Sequence, residues 1–261
     1  MSYRSQPALY SSGPSLTPAV KWLIILNSVV YFFQVLAQAF APALARAILE
    51  IFALIPIAVT RGLRLWQPFT YLFLHGSLLH ILSNMFVLWM FGCDLERHWG
   101  RRRFLFYYFL TGAGAGVLNV AVKTLAAGGA VTPGLFTVTI GASGAIYGVL
   151  LAFGLLFPDR VIYLWFILPI PARIFVLIMG AVAFIASLGA TGDNISHISH
   201  LGGMLIGLIY LRGRRLLDWR LWNYRLRRAY WDWKRRRLQK KFELYMRDRD
   251  REEHRHDRWV H

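Results

Sequence analysis

Residues 140–148 read IGASGAIYG, with a serine between small residues where a strongly apolar stretch begins and no charged residue beside it. A serine hydroxyl becomes a nucleophile when a base takes its proton, and histidine within hydrogen-bond reach is the usual base. The oxyanion that forms next needs donors already in place. Ser143, at a helix start, offers its own backbone N–H, helped by the positive end of the helix dipole. His80 and Asn84 stand four residues apart, on one helix face, and carry side-chain donors. His200 opens the last apolar stretch, and Tyr147, one turn after Ser143, is able to pack against its ring. Asp193 falls in a loop, so no acid is placed to orient His200 and a Ser–His dyad is expected rather than a triad. The stretch HGSLLHILSN supplies His75, Ser77, Ser83 and Asn84 as polar contacts for an entering water.

Other histidines read more plainly. His75 lies five residues before His80, which on a continuous helix turns it elsewhere, so a structural or gating role is expected. His197, three before His200, reads as a supporting hydrogen-bond partner. A zinc site built from His80, His197 and His200 lacks the HExxH spacing, a carboxylate and a second cysteine, so neither metal nor cofactor is expected. Cys93 is the single cysteine, which excludes an intramolecular disulfide and reads as a buried apolar thiol.

The elements that must carry these residues are apolar. The 261 residues are 56% hydrophobic and only 16% charged, where a soluble domain has about a quarter charged. About 18 of the 30 Lys and Arg lie after Leu211, so the preceding body has too little charge for a water-facing surface. An all-α, polytopic membrane protein follows. Six apolar helices are expected, near 21–42, 76–93, 104–125, 143–157, 170–188 and 199–211. The first is too long for the apolar core of a cleavable signal peptide and is expected to be retained. Stretches 94–103 and 158–173 and the tail are basic, whereas 124–142 and 189–198 are poor in Lys and Arg. The positive-inside rule then puts both termini in the cytoplasm. Segment 43–75, apolar yet carrying Trp66 and three arginines, is expected in the membrane interface.

Depth brings the polar residues together. Phe157-Pro158-Asp159-Arg160 stops the fourth helix at the inner interface. Ser143, 14 residues earlier, then sits about 21 Å up at about 1.5 Å per residue. The same rise puts His200 about 18 Å, His80 about 21 Å and Asn84 about 15 Å above the inner ends of their helices. Polar residues at such depth face a partner or a water-filled cavity. Gly144-x-x-x-Gly148 and Gly203-x-x-x-Gly207 are small-residue stripes that allow close helix approach. Packed together, they bring Ser143 and His200 side by side.

HGSLLHILSNM (75–85), GASG (141–144) with Tyr147, and HLGGMLIG (200–207) together resemble the rhomboid intramembrane serine proteases, over about residues 60–212. GCDLERHWG (92–100) resembles that family's turn after its second helix. The resemblance implies a six-transmembrane-helix rhomboid-like bundle with Ser143 as nucleophile and His200 as general base. It implies an oxyanion hole of His80, Asn84 and the Ser143 N–H, with Gly141, Gly144, Gly203, Gly207 and Tyr147 in support. Substrates are then single-span membrane proteins cut near the outer side, with the fifth helix and loop 189–198 as gate and cap. Many members carry Trp-Arg in the first loop, where this chain has Trp66-Gln67; Gln supplies no charge, which leaves the anchoring of that loop open.

The domain reading is a cytoplasmic N-terminal segment 1–20, a six-helix membrane-embedded catalytic domain 21–212, and a basic, aromatic-rich cytoplasmic tail 213–261. In the tail Trp219, Trp222, Leu226, Tyr230 and Trp233 recur at helical spacing among Lys and Arg, a pattern suited to anionic lipid headgroups rather than nucleic acid. The expected location is a bacterial cell (inner) membrane. A competing reading is a non-catalytic chaperone or sorting factor that binds membrane helices with the same fold; a His-based ion or metal transporter is a third.

Overall fold

The computed structural model describes residues 15–164, 167–188, 197–216, 227–228, 230–240, 242 and 246. The chain divides into two compact units, Met1–Leu211 and Arg212–His261. Among the described residues of the first unit, helix α1 (Pro18–Phe40) is followed by α2 (Pro42–Phe52), α3 (Pro56–Thr60) and α4 (Gln67–Thr70). Next come α5 (Leu78–Val87) and α6 (Cys93–Trp99), joined without a break by one wide π turn, Leu88–Gly92. Then follow α7 (Arg101–Ala126), α8 (Ser143–Leu156), strands β1 (Val161–Leu164) and β2 (Leu168–Pro171), and α9 (Ala172–Leu188). Helix α10 (His197–Leu216) follows.

Three of these helices are long and apolar enough to cross a membrane: Pro18–Phe40, Leu78–Trp99 and Arg101–Ala126. Ser143–Leu156 and Ala172–Leu188 are shorter apolar helices. On α1 the residues Trp22, Leu26, Val29, Phe32 and Phe33 are exposed although large and apolar, a surface suited to lipid rather than water. The described residues are mostly helical, as expected, with one strand pair that the sequence reading did not give. β1 and β2 pair as an antiparallel hairpin, Val161 opposite Pro171 and Leu164 opposite Leu168. Pro169 and Pro171 exclude helix here, because proline lacks the N–H that helix continuation needs.

The start of α1 is fixed by a distant carboxylate. Pro18 occupies the first helical turn, where its missing N–H costs nothing. The next two amides, of Ala19 and Val20, donate to Glu96 at 2.9–3.0 Å. Glu96 is buried, and its charge faces the positive end of the helix dipole. Nearby on α6, Asp94 accepts from Arg97 at 3.0 Å and from Arg160 at 2.7 Å, which ties the entry to the hairpin onto α6.

Segment 43–75 is a built structure. Gln67 is fully buried. Its Oε1 accepts from the Ile55 N–H at 3.1 Å, and its Nε2 donates to the Glu50 carbonyl at 3.0 Å and the Ile51 carbonyl at 3.4 Å. The Arg64 guanidinium also donates to the Glu50 carbonyl, Trp66 Nε1 to Ile51 O at 2.8 Å, and Thr70 Oγ1 to Phe52 O at 2.7 Å. The loop is therefore anchored without an arginine at position 67. An amide both donates and accepts, which a guanidinium cannot do. Leu54 then exchanges backbone hydrogen bonds with Thr139 at 3.0 and 2.9 Å, joining the loop to the segment that leads into α8.

Candidate active site

Ser143 is the first residue of α8, and the chain reaches it through Gly141 at φ +117°. Gly141 N–H donates to the Tyr71 carbonyl at 2.9 Å, and Tyr71 OH donates to the Gly112 carbonyl of α7 at 2.8 Å. These bonds fix the approach to the serine from both sides. An L side chain rarely adopts the Gly141 backbone conformation. A Cβ there would also lie 2.7 Å from His80 Nε2, 2.8 Å from His80 Cε1 and 3.7 Å from Asn84 Nδ2. Glycine therefore keeps a small space open where two side-chain nitrogens of α5 meet the serine turn.

Ser143 Oγ and His200 Nε2 are 2.9 Å apart, a hydrogen bond between α8 and α10. The His200 ring lies flat on Tyr147, with centroids 4.2 Å apart and planes within 3°. His200 is buried, and its Nδ1 has no hydrogen-bond partner among the described residues. His197 meets its edge with centroids 5.8 Å apart at 83°. Asp193 lies outside the described residues. Ser199, beside His200, accepts from Asn119 Nδ2 of α7 at 2.9 Å, and both residues are buried.

His80 Nδ1 accepts from the Gly76 N–H at 3.5 Å, a long bond that favours the tautomer with hydrogen on Nε2, the atom facing Gly141. Asn84 is buried, and its Nδ2 has no hydrogen-bond partner among the described residues. His75 departs from the sequence expectation. It does not face away, but packs edge-on against His80 with centroids 5.1 Å apart. The helix begins only at Leu78, and Leu74 is extended at ψ 144°, so helical spacing does not govern residues 75–77. The His75 N–H donates to Gln34 Oε1 of α1 at 3.1 Å.

The glycine stripes meet at one end only. A Cβ on Gly203 would run into the Gly144 carbonyl oxygen, so α8 and α10 touch backbone to backbone beside Ser143 and His200. One turn further, α7 separates them. A Cβ on Gly148 would meet Thr111 at 2.6 Å, and one on Gly207 would meet Tyr107 OH. Tyr107 OH occupies that gap and donates to the Gly148 carbonyl at 2.8 Å. Tyr71, Tyr107, Thr111, Asn119 and Ser199 are the site neighbours that sequence reasoning missed. They are polar residues among apolar neighbours; all but Thr111, which bonds back to its own helix, have hydrogen-bond partners far along the chain, and their cost in a membrane was the available signal.

Fold and site together define a helical integral membrane protein with a serine–histidine pair enclosed by its helices. Residues 62–215, more than half of the chain, match the rhomboid family over its Rhomboid domain, and the chain belongs to that family. It is 32% identical over 139 residues to Rhomboid protein 1, mitochondrial, of Saccharomyces cerevisiae, an alignment covering 53% of this chain and 38% of the yeast protein. It is 31% identical over 202 residues to Presenilin-associated rhomboid-like protein A, mitochondrial, of Danio rerio, covering 77% and 49%. Rhomboid-like protease 3 of Toxoplasma gondii is 25% identical over 201 residues, covering 75% of this chain and 69% of that protein. The chain thus spans half or less of the yeast and zebrafish proteins.

Proposed function

We propose that this protein is an intramembrane serine endopeptidase that cuts single-span membrane proteins near the extracytoplasmic side. The observation that supports it is the 2.9 Å contact of Ser143 Oγ with His200 Nε2, beside the space that Gly141 keeps open to His80 and Asn84. In this reading His200 Nε2 takes the Ser143 proton as Oγ attacks the scissile carbonyl carbon. The carbonyl oxygen becomes an oxyanion held by the Ser143 N–H, His80 Nε2–H and Asn84 Nδ2–H. His200 then returns the proton to the leaving amine, and a water hydrolyses the acyl-enzyme. No carboxylate among the described residues hydrogen-bonds His200 Nδ1, so the Tyr147 ring face holds the imidazole plane and favours its transient charge.

The wider arrangement is part of the proposal. Six membrane helices are α1, the continuous α5–α6, α7, α8, α9 and α10, with domains at 1–20, 21–212 and 213–261 and both termini cytoplasmic. The bacterial inner membrane fits the distribution of basic residues; the yeast and zebrafish relatives above are named mitochondrial and lend that location no support. The gate-and-cap role of 189–198 falls largely outside the described residues. The test is labelling by a fluorophosphonate probe and cleavage of a panel of single-span proteins. Ser143→Ala abolishes both if the proposal holds, and unchanged cleavage by Ser143→Ala overturns it.

A further inference from the structure

The second unit carries a surface that the proteolytic reading does not use. Its described residues 230–240 form a helix, and every described side chain from 227 to 240 is exposed. Among them Tyr230, Trp231, Trp233 and Leu238, with Phe242 beyond, are 54%, 57%, 55%, 58% and 64% exposed. Trp231, Leu238 and Phe242 follow at intervals of seven and four, which places them in one row on the helix. The stretch 227–242 holds eight Lys and Arg against the single acid Asp232. Lys234 sits over the Trp231 ring at 5.0 Å and Arg237 over Trp233 at 5.4 Å, so cations flank the aromatic residues.

An uncovered apolar row on a strongly cationic helix is unfavourable in water, because large apolar side chains are stabilised by leaving it. Something must cover the row. Charge complementarity and covalent position select the occupant: a strongly cationic, aromatic segment that follows directly on an integral membrane domain meets a bilayer surface before any other anion. We propose that residues 227–242 dock on anionic lipid headgroups. Trp231, Leu238 and Phe242 enter the headgroup–acyl boundary, and the Lys and Arg side chains pair with lipid phosphates. The inference does not depend on the proteolytic reading; it needs only the membrane-embedded domain.

The test is hydrogen–deuterium exchange on the full chain in nanodiscs of zwitterionic lipid alone or with about 30 mol % phosphatidylglycerol, a composition chosen to give a strongly negative surface. Amides of 227–242 are expected to exchange at least about tenfold more slowly on the anionic discs, while α7 stays unchanged. The difference is expected to vanish at about 0.5 M salt, where the Debye length is about 4 Å. The combined Trp231→Ala, Leu238→Ala and Phe242→Ala variant keeps every cation and is expected to lose most of the protection. Because that variant lies outside the membrane domain, unchanged α7 exchange certifies its fold. Equal exchange on both discs, fast or slow, overturns the proposal, as does stronger protection by added RNA on zwitterionic discs than by anionic lipid.

Discussion

In the proposed mechanism, Gly141→Ala isolates the oxyanion side of the site without removing any donor. The added Cβ would lie 2.7 Å from His80 Nε2 and 2.8 Å from its Cε1, against an ordinary contact of 3.4–4 Å. The imidazole must retreat by about 0.7 Å or more, and misplacement on the scale of 1 Å costs about 10²-fold in rate. If His80 is forced out of hydrogen-bond reach altogether, the loss approaches that of one oxyanion donor, about 10²–10³ in kcat. The φ of +117° adds a backbone cost of about 1–3 kcal/mol to stability. The expected result is therefore a kcat about 10²–10³ lower, with KM for a single-span substrate little changed, since the donors act on charge that develops only in the transition state. The assay is steady-state cleavage in proteoliposomes, alongside the rate of fluorophosphonate labelling and Tm. His80→Ala removes the group that the new methyl strikes. If the methyl acts through His80, the double variant is no slower than His80→Ala alone. A folded Gly141→Ala enzyme within about threefold of wild type, or losses that multiply in the double variant, would refute the assignment of this space to the oxyanion.

Four further outcomes are expected. Gly203→Ala drives a Cβ into the Gly144 carbonyl oxygen, a backbone atom that cannot turn aside; overpacking costs about 1–3 kcal/mol or more, read as a lower Tm together with slower probe labelling. Gln67→Ala leaves the Ile55 N–H without its acceptor, at about 1–3 kcal/mol, while the Glu50 and Ile51 carbonyls keep Arg64 and Trp66 as donors, and faster amide exchange over 50–55 reports it; Gln67→Arg does not rescue Ile55, because a guanidinium accepts no hydrogen bond. Glu96→Ala uncaps α1 and leaves the Ala19 and Val20 amides bare, costing about 1–3 kcal/mol in chemical denaturation, whereas Glu96→Gln keeps an acceptor and loses less. Tyr147→Phe retains the stacked ring and is expected to keep most activity, while Tyr147→Leu removes a cation–π partner worth up to about 2 kcal/mol when desolvated and lowers kcat by about tenfold or more.

The legible part of this chain was its local periodicity. Apolar runs located the long helices to within a few residues at most ends, and the start of α8 at Ser143 could be read from small residues ahead of an apolar stretch. The hidden part was long-range or irregular. Glu96 reaches back 77 residues to cap α1, and Tyr71 and Tyr107 each reach 41 residues to a glycine carbonyl, spacings that no helical or strand period encodes. The arithmetic that turned His75 away assumed a helix at residues 75–77 that is not there. Matching two glycine stripes end to end failed for a related reason. A pairwise rule does not anticipate a third helix, and α7 places Thr111 and Tyr107 against Gly148 and Gly207.

Why the site is built from neutral groups follows from the medium. Lipid offers helices little hydrophobic reason to associate, so close backbone packing and hydrogen bonds must hold them. Near Ser143 these bonds run through Tyr71, Tyr107, Asn119 and Ser199, and the first-loop anchor is the amide of Gln67. Each group satisfies a buried partner without bringing a net charge into a low-dielectric interior, where an unpaired ion costs far more than an amide or hydroxyl. Glu96, the buried carboxylate among the described residues, stands near the opposite end of Leu78–Trp99 from His80, where helix N–H groups and their dipole neutralise it. That separation leaves the serine turn with a field set mainly by oriented donors. In the proposed mechanism, a developing oxyanion then meets preorganised N–H groups rather than a fixed negative charge competing for them.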